Sequence, residues 1–166
     1  MRYAPAAAAL SLALAVAGSV SAVAEPEASP RAAALVAKGE AALSEGRTQD
    51  AIDAFEAALT VDPAYTPIFN DLAAAARAQG LQGKAIRYYR ETLSRDPRNF
   101  AAISGEGAAM VERGAIEKAR QNLSRLESLC GPNCPETEAL AAAIASPPVR
   151  TAEAPTPSGS EEPQAN

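Results

Sequence analysis

The chain has 166 residues, a formal net charge of −5 and no histidine. The missing histidine removes the usual general base, the usual partner of a serine or cysteine nucleophile and the commonest zinc ligand. The acidic balance argues against general binding to nucleic acid.

The predicted elements begin with a leader. Arg2 and the α-amino group give a positive start, an apolar run follows from Ala6 to Gly18, and Ala22 and Ala24 supply small residues ahead of a cut. That order of charge, apolar core and A-x-A is a secretory signal peptide over residues 1–24. The apolar run is too short for a bilayer span. A cleaved, non-inserted chain in the bacterial periplasm is expected, with retention as an anchor the alternative. Cleavage would leave a charge of about −6, still acidic.

Residues 25–31 read as a linker and residues 32–145 as one folded domain. The domain aligns with itself at a period of about 34 residues, as 32–65, 66–99 and 100–130. Gly46, Gly80 and Gly114 fall in register, as do Ala51, Ala85 and Ala119, and Phe55, Tyr89 and Leu123. Gly39, Ala73 and Gly107 form a column of small residues, and Asp62-Pro63 and Asp96-Pro97 close the first two units. Each unit makes sense as two antiparallel helices. Ile52, Phe55 and Leu59, like Ile86, Tyr89 and Leu93, put one apolar face on the second helix. The glycine column sits at the turn, where a left-handed residue ends a helix. Aspartate before proline then stops the second helix. "GEGAAM" at Gly105 to Met110 lies inside a predicted helix and lacks the features of a dinucleotide loop. Carboxylates such as Glu112 and Glu117 read as solvated helix faces.

These columns resemble the tetratricopeptide repeat family over about Ala32 to Leu129. The third unit departs from the pattern, with Arg120 where the others have Ile52 and Ile86, and no Asp-Pro. The resemblance implies an all-α solenoid of three antiparallel helix pairs and a capping helix, seven helices in all. It implies a non-catalytic scaffold whose first helices line a concave groove for a peptide or helix, with no cofactor and no metal. Carried onto this chain, the groove residues are Val36, Glu40 and Leu43, then Asn70, Ala74 and Arg77, then Ala101, Ser104, Ala108 and Val111. The carboxylate clamp of chaperone-binding members is absent. Its positions hold Val36, Glu40, Asp71, Ala101 and Gly105, and none matches. A partner with an apolar face is expected in place of an acidic tail. Its identity is not legible, and neither is the oligomeric state.

A second candidate surface is basic. Lys84, Arg87, Tyr88 and Arg90 lie amid Arg77, Arg95 and Arg98, which suits an anionic partner or lipid headgroup, or else an ordinary solvated helix face. The two cysteines, Cys130 and Cys134, stand in CGPNC at the end of the third unit. An exported chain is oxidised, which favours a structural disulfide. Free thiols and a thiol-disulfide oxidoreductase remain as alternatives, the latter lacking C-x-x-C spacing and a βαβ scaffold. A zinc site lacks further cysteine or histidine ligands. Pro135 to Ala145 reads as the capping helix, started by proline and by Glu136 and Glu138 and striped by Leu140 and Ile144. Residues 146–166, rich in Pro, Ser, Thr and Glu, read as a disordered tail. A narrower reading makes the protein an accessory factor of an envelope machine such as a pilus, secretion or cell-wall complex.

Overall fold

A computed structural model describes residues 26–147. The predicted signal peptide and nearly all of the predicted tail lie outside them. The described residues form seven α-helices: α1 (Pro30–Ser44), α2 (Thr48–Val61), α3 (Ile68–Ala78), α4 (Gln82–Arg95), α5 (Phe100–Glu112), α6 (Ile116–Leu129) and α7 (Pro135–Ala145). They pack as antiparallel pairs α1/α2, α3/α4 and α5/α6, with α7 laid against α5 and α6. No helix among the described residues is long and apolar enough to cross a membrane.

The turn within each pair is one motif used three times. Gly46, Gly80 and Gly114 have φ of 76°, 80° and 77°. The residue after each glycine donates its N–H back to a carbonyl five residues earlier: Arg47 to Ala42, Leu81 to Ala76 and Ala115 to Met110, at 2.8–2.9 Å. This is the Schellman closure, and the left-handed position it needs is why glycine recurs there. Between pairs, Asp62 and Asp96 cap α2 and α4 before their prolines. Cys130 takes that place after α6. Its disulfide to Cys134, which caps the start of α7, holds the two Cα atoms 5.8 Å apart.

The core forms three overlapping patches along the stack. Phe55, Ile68 and Leu72 anchor the first, Ile86, Tyr89 and Met110 the second, and Ile103, Leu126 and Leu140 the third. The small-residue columns allow the helices to approach. A Cβ on Gly39 would run into the Phe55 ring, and one on Gly107 would lie 2.6 Å from a Leu140 methyl. Gly107 is therefore tied to the docking of α7, not only to the packing of its own pair.

The interior is not wholly apolar. Glu106 of α5 is buried and accepts from Arg90 Nε at 2.7 Å and from Asn122 Nδ2 at 3.1 Å. It links α4, α5 and α6, and its satisfied oxygens are what make its burial tolerable. Glu112 also departs from the expectation of a solvated face. It is half-buried and accepts from Arg77 Nε at 2.7 Å, because its place at the end of α5 brings it beside α3. Glu117 is exposed and pairs with Arg120.

Candidate functional site

The concave side carries an open groove of about 400 Å³ between α3, α5 and α7. Asn70 and Arg77 face it from α3, and Ala101, Ser104, Gly105 and Ala108 from α5. The turn spacing of each helix explains this placement, since residues three, four and seven apart share a face. Tyr89 of α4 forms part of the floor. Its ring lies so close to Gly105 that any side chain there would clash, which is the local reason for glycine. Burial pushes the Tyr89 phenol up, and Arg77 beside it opposes that shift.

Five groove residues expected from the sequence, Asn70, Arg77, Ala101, Ser104 and Ala108, are brought together here, with Ala101 exposed. The α1 members are arranged differently. Val36 and Leu43 are half-buried and pack against the first core patch, while Glu40 is exposed. Ala74 is half-buried on α3. Val111 is buried in the second patch and has no groove surface to offer, because the end of α5 turns inward against α3 and α4.

The sequence reading missed one wall. Pro135, Glu136, Ala139 and Ala143 of α7 line the groove opposite α3, and the Ser104 hydroxyl donates to the Glu136 carbonyl at 3.1 Å. Pro135, Ala139 and Ala143 recur every fourth residue, a stripe that could have been noticed beside Leu140 and Ile144. The capping helix thus covers the third core patch with one side and shapes the groove with the other.

The basic stretch of α4 is largely engaged within the molecule. Lys84 lies 3.5 Å from Glu56 and 5.7 Å from the Tyr88 ring centre. Arg90 pairs with Glu106, and Arg95 pairs with Glu91 and lies 5.0 Å from the Phe69 ring centre. Arg87 is exposed. Such pairs leave less free positive charge than the sequence suggests.

Comparison with known proteins places the chain among helical repeats. The family model for the bacterial transcriptional activator domain matches residues 5–100, a span that begins inside the stretch read as a leader. Cellulose synthase 2 operon protein C of Komagataeibacter xylinus is 36% identical over 107 residues, which cover 64% of this chain and 8% of that protein. Among solved structures, the Sgt2 TPR domain from Aspergillus fumigatus aligns with a TM-score of 0.63 at 21% identity, over 78% of this chain and 93% of that one. The type III secretion chaperone SycD of Yersinia enterocolitica, solved with a peptide of the translocator YopD, aligns with a TM-score of 0.61 at 21% identity. That alignment covers 70% of this chain and 88% of SycD. The likeness shows the fold, a tetratricopeptide-like stack of helix pairs.

Proposed function

The chain belongs to the bacterial transcriptional activator domain family, and from that premise we propose that it is a non-catalytic protein-interaction module that takes a peptide or helix in its concave groove. The observation that carries this reading is the open groove between α3, α5 and α7, floored by small residues and the Tyr89 ring and edged by Asn70, Arg77 and Ser104. A groove of this kind suits a partner segment that lays an apolar face inside and polar groups at the rim. What carries over from the family is the scaffold. A role on nucleic acid finds no support in a chain with a net charge of −5 whose main basic stretch is tied up by its own acids.

The proposed location is the bacterial periplasm. The leader pattern of residues 1–24 supports it, as does the disulfide between Cys130 and Cys134. The pair is best read as a staple. Cys130 ends a helix, the surroundings among the described residues are all helical, and neither matches the scaffold of a thiol-disulfide oxidoreductase. A narrower second reading, an accessory factor of an envelope machine, is favoured by the relative from a cellulose synthase operon.

Photo-cross-linking from single positions tests the groove in intact cells. A cross-linker at Ala101, exposed inside the groove, should yield discrete protein adducts identifiable by mass spectrometry. The same group at Ser124, exposed on α6, serves as the control. Equal adducts from both positions, or adducts from Ser124 alone, would place the binding surface elsewhere.

A further inference from the structure

The chain leaves its last helix at one end of the groove. Ser104 of α5 bonds the Glu136 carbonyl of α7, and one turn further along both helices Gly107 faces Leu140. The two helices therefore run side by side in the same direction. Ala143, near the end of α7, still lines the groove. That end of α7 lies level with the end of α5, where Glu112 accepts from Arg77 at 2.7 Å. The chain passes out of α7 at Ser146 and continues through residues 148–166, beyond the described residues.

The first part of that continuation, PVRTAEAPTP over 148–157, has a period of three. Val149, Ala152 and Pro155 form one series, and Arg150, Glu153 and Thr156 form another. Polyproline geometry has three residues per turn, so the first series makes a small apolar face and the second a polar one. The groove offers the complement: small residues and the Tyr89 ring on its floor, and the Arg77–Glu112 pair at the end where the chain leaves. Arg77 gives its Nε to Glu112 while its side chain stays 38% exposed, so its terminal N–H groups remain at the groove. Reach is ample. Residues 148–157 would span about 30 Å in this geometry, against about 20 Å for the whole of α5.

We propose that residues 149–157 fold back from the end of α7 and lie in the groove, with Val149, Ala152 and Pro155 turned to its floor. Arg150 then faces Glu112 and Glu153 faces Arg77, so the charges of the two pairs meet crosswise. The inference rests on the groove reading above and names an occupant that the chain itself supplies and a foreign segment must displace. Proline fixes much of the backbone in advance, which lowers the entropy lost on docking. The segment is also joined to a wall of the site, which gives it an effective concentration on the order of millimolar. At that concentration a contact with a Kd of about 0.1 mM keeps the groove about nine-tenths filled and weakens a foreign segment about tenfold.

The test is a photo-cross-linker at Ala101 in the purified, dilute full chain, with the same group at Ser124 as the control. The expected product from Ala101 is a cross-link within one chain to residues 148–166, identified by mass spectrometry, with none from Ser124. The double charge reversal Arg150→Glu with Glu153→Arg should cut its yield about tenfold. Both positions lie outside the seven helices, so helicity should not change. In intact cells the same reversal should raise the yield of foreign-protein adducts from Ala101. A missing cross-link, one indifferent to the reversal, or one that joins two chains overturns the inference. Foreign adducts that do not rise on the reversal overturn the competition. If foreign adducts form at Ala101 without any cross-link to residues 148–166, the groove reading survives alone; if neither forms, both fall.

Discussion

At the scale of the residue, Asp71 is a carboxylate held partly out of water with no counter-ion, and it costs stability. Its carboxyl is raised from 3.8 to about 6 by burial and then by Glu40, so the folded state holds its proton more tightly than the unfolded chain does. Between these two values the native state binds more protons, and stability therefore falls as pH rises from about 4 to about 6. Above that window the penalty is constant. Asp71→Asn should flatten this part of the pH profile. It should also raise stability at pH 7–8 by about 1–2 kcal/mol, the figure allowing for solvent screening of a half-buried group. Urea unfolding at a series of pH values reads both effects, and an unchanged profile would show that Asp71 is not strained. Glu106 makes the contrast, since it is more deeply buried and has donors from two helices.

At the scale of the element, α7 matters more than its length suggests. Leu140 fills the space left by Gly107 and joins Ile103 and Leu126 in the third core patch. Its opposite face walls the groove. The disulfide closes the turn that delivers it, in the place where the two earlier units use aspartate and proline. A loop this short restrains few unfolded conformations, so the bond contributes about 2 kcal/mol by chain entropy. Replacing both Cys130 and Cys134 by serine should lower the melting temperature modestly. Amide exchange should quicken chiefly in α7, with α1 and α2 little changed. A collapse of the whole fold would give the bond a larger part than a staple.

At the scale of the whole molecule, each helix packs on its neighbours in the stack, and α1 and α2 have no substantial contact with α6 or α7. Stability in such an array is a sum of local units and their interfaces. Leu140→Ala should cost about 2–5 kcal/mol at its own site. The loss should appear as faster exchange in α5, α6 and α7, while α1 and α2 keep their protection; uniform loss would mean that the described residues unfold as one unit. The amino-acid sequence determined the helix pairs, their turns and the small-residue contacts by itself. Gly46, Gly80 and Gly114 meet a backbone need at each turn, and the apolar spacing of α2 and α4 selects the buried face within a few residues of chain. Only the tertiary structure decided that Arg77 meets Glu112, that Glu106 is interior, and that α7 forms a wall of the groove. It likewise decided that Asp71 is left without a counter-ion. Each of those outcomes depends on groups far apart in the chain, or on a donor that fails to arrive, and a local pattern holds no record of either.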